Sequence, residues 1–205
     1  MIIGITGGIG SGKSTVLRSV ARRGYPVYDC DAEAKRLIVE DPEVRLQMIE
    51  LFGEQVYRDG VYQTQLVSSQ VFADPGKLAR LNAIVHPAVA RDIRRWEEQQ
   101  TSPVTHHPSP ILFVESAILI SSGLAELCDA VVLITAPEEE RIERVLLRAA
   151  KRHQPMDADQ VRARIHAQII EEESLQHRPY DLKLVNDDAT PIAHIVEQLI
   201  RFVEQ

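Results

Sequence analysis

The residues best suited to chemistry come early: Gly7-Gly8-Ile9-Gly10-Ser11-Gly12-Lys13-Ser14, followed by Thr15. Glycine loses more conformational freedom on folding than any other residue, so such a cluster needs a local reason. The spacing matches G-x-x-x-x-G-K-[ST], which average composition produces by chance in roughly one chain of this size in a hundred. In such a loop, backbone N–H groups at positions such as Gly8, Gly10, Ser11 and Gly12 turn inward around phosphate oxygens with no Cβ in the way. A following helix adds partial positive charge at its N-terminus. Lys13, expected to stand exposed in the loop, would reach the β- and γ-phosphates, and the Ser14 hydroxyl would ligate Mg²⁺. The bland alternative is a tight strand–helix turn with a surface lysine.

Three further sets of residues carry chemical potential. Asp29 and Asp31 follow a short apolar run, where a carboxylate could orient a hydroxyl and accept its proton, the small covalent help that phosphoryl transfer needs. Asp31 could equally be the N-cap of a helix starting at Ala32. His86-Pro87 could mark only a helix entry, since proline suits a first turn. Arg141, Arg144, Arg148, Lys151 and Arg152 lie on one charged segment, with Arg141, Arg144 and Arg148 on neighbouring helical turns. Glu138, Glu139, Glu140 and Glu143 could pair with them on a solvated face. Arginine also supplies the multidentate donors that a triphosphate site in an acidic protein needs.

These side chains need a scaffold. Residues 2–6, 111–115 and 130–135 are β-rich and apolar without alternation, as in strands buried on both faces of a parallel sheet. Residues 26–28 and 182–185 are weaker candidates. Helical patterns at 14–23, 138–152, 158–176 and 191–203 lie between or after them, so the fold class is α/β, a doubly wound, three-layer arrangement with a parallel sheet. Asp31 and Ile111 are 80 positions apart, far more than a simple crossover requires. Helical patterns at 32–40, 42–52, 64–71, 75–81 and 87–100 predict an all-helical lobe inserted there, with 101–110 as the return linker. The predicted organisation is a nucleotide-binding core of residues 1–31 and 111–205, a lid over about 138–180, and a helical acceptor lobe and linker over 32–110.

Composition narrows the function. The 205 residues are 44% hydrophobic and 26% charged, as in an ordinary domain with a sizeable core. A net charge of −7 argues against a general nucleic-acid binder, which usually presents a basic face, but permits a local pocket for a small anion. Cys30 and Cys128 are too few for a disulfide framework and are expected to be buried thiols. The apolar runs are too short to cross a membrane, and Met1 leads into a strand without a signal core, so the expected location is the cytoplasm. No guanine-specific Asn-Lys-x-Asp follows a later strand, and a motor or helicase would be larger. A small-molecule kinase fits.

Taken together, TGGIGSGKST, PVYDCDAEAK and LNAIVHPAV resemble the dephospho-CoA kinase family, whose likeness extends over almost the whole chain. The resemblance implies a P-loop nucleotide-kinase core with a helical acceptor lobe and a lid. It implies transfer of the ATP γ-phosphoryl group to the ribose 3′-hydroxyl of dephospho-CoA, the last step of coenzyme A synthesis, with Mg²⁺ accompanying ATP. It carries the catalytic-base role to Asp31, acceptor-binding roles to Asn82 and His86, and the lid arginine to Arg148, with Arg164 in a similar position. Asn186-Asp187 falls where the family has an Asp-Asn-x-Gly segment near the adenine, although the motif here is imperfect. The family commonly reads V-P-L-L-F-E after the third core strand. Here Glu115-Ser116-Ala117-Ile118-Leu119-Ile120-Ser121 puts Ala117 at the proline position and Ser121 at the glutamate position. Glu115 is a candidate for a role behind Mg²⁺. The competing readings are a nucleoside or nucleotide kinase with another acceptor, and a nucleotide-dependent regulatory switch. Nothing in the sequence sets the oligomeric state.

Overall fold

The run Ile2–Thr6 is buried at every position, as its lack of alternation requires. A computed structural model describes residues 1–101, 111–151, 156–166 and 180–205. It divides into two compact units, Met1–Tyr28 with Pro103–Gln205, and Asp29–Ser102.

In the first unit, β1 (Ile2–Thr6) lies at the centre of a five-stranded sheet with β2 (Val27–Asp29), β5 (Leu112–Glu115), β6 (Ala130–Thr135) and β7 (Leu182–Val185). The order is β2-β5-β1-β6-β7. β1 runs parallel to β5 and β6, and β6 parallel to β7. Helices α1 (Lys13–Arg22) and α8 (Ile192–Val203) cover one face. There Ile3, Ile5, Phe113 and Ile134 pack with Val16, Leu17, Ile195 and Leu199. Each such fully buried side chain contributes on the order of 1.5–3 kcal/mol of transfer free energy. The other face closes tightly over Gly4, where a Cβ would come within 2.6 Å of Leu119 and 2.8 Å of the Cys128 sulfur. Helices α6 (Glu138–Lys151) and α7 (Ala158–His166) form a smaller apolar cluster through Ile142, Val145, Val161 and Ile165. Of the predicted lid and return linker, residues 102–110, 152–155 and 167–179 lie outside the described residues.

The second unit contains α2 (Cys30–Glu40), α3 (Pro42–Phe52), a 3-10 turn (Glu54–Val56), β3 (Tyr57–Arg58), β4 (Val61–Tyr62), α4 (Thr64–Ala73) and α5 (Pro75–Thr101). It differs from the predicted all-helical lobe in two ways. β3 and β4 pair as an antiparallel hairpin across Asp59-Gly60, both at positive φ (51° and 77°), the Asp-Gly pairing that a two-residue hairpin turn favours. Also, the two helices expected at 75–81 and 87–100 are one continuous helix, with Pro87 inside it. His86-Pro87 is therefore not a helix entry. Packing of α5 against α2, α3 and α4, with Val85, Ala88, Val89 and Ile93 buried, overrides the proline signal.

Candidate active site

Strand β1 delivers the chain into the glycine loop at the carboxyl end of the sheet, where ligand crevices form in open α/β folds. Two of its glycines are required by strand β6 and by the segment after β7. Gly7 has φ +147° and a Cβ there would lie 2.0 Å from the Ile134 carbonyl oxygen; Gly12 has φ +89° and a Cβ would lie 2.0 Å from Asn186 Nδ2. Gly12 is also the N-cap of α1 and supplies no side-chain cap, and the first turn of α1 holds no acidic residue. The helix N-terminus thus keeps its partial positive charge for an anion.

Lys13 departs from expectation. It is buried, only 8% exposed, and its Nζ donates to the Gly7 carbonyl oxygen at 2.7 Å. The ammonium folds back over the loop rather than extending into solvent. Backbone glycines leave room for this, and the carbonyl satisfies part of its donor capacity away from water. Ser14 Oγ donates to Glu115 Oε1 at 2.9 Å, joining the start of α1 to the end of β5. This pair supplies two hard oxygen donors, the ligand type Mg²⁺ takes, and Mg²⁺ draws its other ligands from phosphates and water. Among the described residues no cluster of three or more His, Cys, Asp or Glu side chains could hold a metal. The donor set fits a cation that arrives with a nucleotide.

Behind the loop, Asn186 is buried and its Nδ2 donates to the Ser11 carbonyl oxygen at 2.8 Å. Its backbone carbonyl accepts from Arg144 Nη1, and Arg144 also pairs with Glu140 and Asp188. The structure thus ties Asn186 to the loop itself and Arg144 to the segment after β7. Ser11 is fully buried, and its hydroxyl has no hydrogen-bond partner among the described residues. Arg141 is buried and donates from Nε to the Ile9 carbonyl oxygen at 2.9 Å. Arg148, two turns further along α6, is exposed and has no hydrogen-bond or ion-pair partner among the described residues. Arg164 is exposed on α7.

In the other unit, the cap assignment changes. Asp29 is the N-cap of α2, its Oδ1 accepting from the backbone N–H groups of Asp31 and Ala32 at 3.0 Å each. The helix begins at Cys30, so Asp31 stands in its first turn, exposed, and caps nothing. Asn82 and His86 lie four residues apart on α5, on one helix face, both half-buried. Burial pushes the His86 imidazole below the ordinary value of 6.5. Cys30 and Cys128 are both buried free thiols.

The sequence carries no local signal for the Asn186–Ser11 and Arg141–Ile9 bonds, which join residues 175 and 132 positions apart. The place of Glu115 at a strand end is legible in the sequence.

A strand–glycine loop–helix unit with a buried lysine, a serine–carboxylate pair and a parallel sheet defines a P-loop nucleotide-binding protein. The dephospho-CoA kinase family model matches residues 1–191. The chain belongs to that family. A dephospho-CoA kinase from Bacteroides fragilis is 35% identical over 203 residues, spanning 99% of this chain and 93% of the relative. A solved structure of a protein from Thermus thermophilus superposes with a TM-score of 0.76 at 32% identity, covering 99% of this chain and 95% of that one. A dephospho-CoA kinase from Campylobacter jejuni superposes with a TM-score of 0.64 at 20% identity, over 99% and 95%, and shows the shared fold. Family membership makes the chain an ATP-dependent kinase of coenzyme A biosynthesis, acting on dephospho-CoA.

Proposed function

We propose that the chain phosphorylates the ribose 3′-hydroxyl of dephospho-CoA in the cytoplasm, and that the residues singled out above divide the work as follows. Backbone N–H groups of Gly8, Gly10, Ser11, Gly12 and Lys13, with those of Ser14 and Thr15 at the start of α1, hold the ATP phosphates. Lys13 swings from the Gly7 carbonyl to the β- and γ-oxygens, exchanging one oxygen acceptor for charged ones. Ser14 and Glu115 would hold Mg²⁺, which would offset the charge of the phosphates when bound. Asn186 keeps the loop in shape from behind. Asp31 orients the acceptor hydroxyl and takes its proton, while Asn82 and His86 shape the acceptor site. Arg148, a cation with no partner among the described residues, stabilises charge on the transferring group.

The observation that carries this reading is the Lys13 ammonium, buried and poised on a loop carbonyl at an uncapped helix N-terminus. A surface lysine on a structural turn would have no reason to be desolvated there. The deciding experiment is an acceptor panel with γ-labelled ATP and Mg²⁺: dephospho-CoA, nucleosides and nucleoside monophosphates. Label transfer confined to dephospho-CoA, retained on the adenosine fragment after cleavage of the pyrophosphate bridge to phosphopantetheine, is the expected result. Faster transfer to a nucleoside, or ATP hydrolysis indifferent to dephospho-CoA, would overturn the reading.

A further inference from the structure

Most of the loop's tethers run to its own backbone, to strand ends or to the segment after β7. A separate set runs to α6. Ile9 is a branched apolar residue in a loop whose other positions are small or polar, and phosphate binding gives no reason for it. Its side chain packs into the cluster of Ile142 and Val145 on α6 with Val161 and Ile165 on α7. Its carbonyl oxygen accepts from Arg141 Nε at 2.9 Å. Its neighbour Gly10, at φ +80°, backs onto the same helix, where a Cβ would lie 2.5 Å from the Arg141 carbonyl oxygen. An apolar, a polar and a steric contact therefore fall on one turn of the loop and the start of α6.

The cluster that Ile9 joins is separate from the core holding the sheet to α1 and α8. The placement of α6 near the loop thus depends heavily on these contacts, with Arg144 and its partners after β7 as a second anchor. Arg148 lies seven residues beyond Arg141 on the same helix, about two turns or roughly 10 Å along its axis. A shift at the Arg141 end is carried to Arg148 because a helix moves as a rigid rod. Geometry matters steeply in group transfer: a displacement of about 1 Å can cost on the order of 10²-fold in rate.

We propose that Ile9 and Arg141 couple the phosphate loop to α6 and so set the position of Arg148 relative to the bound triphosphate. Arg141 is a positioning residue: its Nε is committed to the Ile9 carbonyl of the loop backbone, and it acts on the reaction through Arg148. The inference rests on the reading of Arg148 as the residue that stabilises transferring charge.

The test is a double-mutant cycle on the full-length enzyme, with kcat, ATP affinity and melting temperature measured for each variant. Arg141→Gln is expected to lower kcat about tenfold while ATP affinity moves by less than about threefold. In an Arg148→Ala background the same substitution should cost less than about twofold, because the residue it positions is gone. Ile9→Ala removes the apolar contact and keeps the carbonyl, so it provides the same cycle if Arg141→Gln folds poorly. Losses that multiply fully in the double variants, or that fall on ATP affinity with kcat retained, overturn the coupling. An Arg148→Ala enzyme with undiminished kcat instead removes the Arg148 reading, and the coupling with it.

Discussion

Asp29, the last residue of β2, and Asp31 look alike in sequence and do different physical work. Asp29 accepts two backbone N–H bonds and caps α2; Asp31 has its carboxylate free of that duty in the exposed first turn. Asp31→Asn is therefore expected to lower turnover by roughly 10²-fold or more, the scale of general-base catalysis, while the melting temperature hardly moves. Phosphorylation of dephospho-CoA and a thermal melt on one preparation check this, and near-normal transfer removes Asp31 from the catalytic set. His86 makes a pH prediction. Its imidazole is pushed below 6.5 by burial, so as pH falls through 6.5 the unfolded chain takes up the proton before the folded one does. Folding stability contributed by neutral His86 is present above 6.5 and is lost toward the lower folded value. From about pH 7.5 to about pH 5, the wild type should lose more melting temperature than His86→Gln, and equal losses would contradict the burial effect.

At the scale of elements, the capping geometry gives a stability prediction complementary to the kinetic one. Asp29→Ala should cost about 1 kcal/mol, because two N–H groups at the start of α2 lose their acceptor, whereas Asp29→Asn should cost much less. Denaturant melts of both variants test the pair, and equal destabilisation would mean that charge rather than capping matters. Pro87 concerns α5. It has no N–H for the Ala83 carbonyl, and a proline costs about 3 kcal/mol relative to alanine inside a regular helix. The helix continues because its buried face packs on α2, α3 and α4, so tertiary contacts offset a local penalty.

For the whole molecule, ligand binding and folding are linked. A nucleotide that binds only the folded chain stabilises it by about 2.7 kcal/mol at a hundredfold excess over Kd. In a chain of this size that corresponds to a rise of roughly 5–10 °C in melting temperature with MgATP. Lys13→Ala should remove most of the rise together with turnover, because the buried ammonium is the loop's own cation. Chelating Mg²⁺ should shrink the rise in the wild type, as the Ser14–Glu115 oxygen pair then loses its charge partner. A full shift in Lys13→Ala would place the nucleotide elsewhere. The anionic ligand is compatible with a chain of net charge −7 because the attraction is local to one helix terminus and one loop.

Whatever depends on near neighbours was written in the sequence. Glycine spacing with Lys13-Ser14 marks the phosphate loop, unbroken apolar runs mark buried parallel strands, and Asp59-Gly60 marks a hairpin turn that the helical patterns around it concealed. TGGIGSGKST, PVYDCDAEAK and LNAIVHPAV lie in order along the chain, and the family they resemble is the one whose model matches residues 1–191. Only the tertiary structure decided which of two aspartates caps α2, that Lys13 folds inward onto Gly7, and that α5 runs through Pro87. It alone joined Ser14 to Glu115, Ile9 to Arg141 and Ser11 to Asn186, pairs 101, 132 and 175 positions apart. The physical reason is range. Backbone preference and hydrophobic period act over a few residues, whereas a hydrogen bond between distant residues exists only after parallel strands have brought their carboxyl ends side by side.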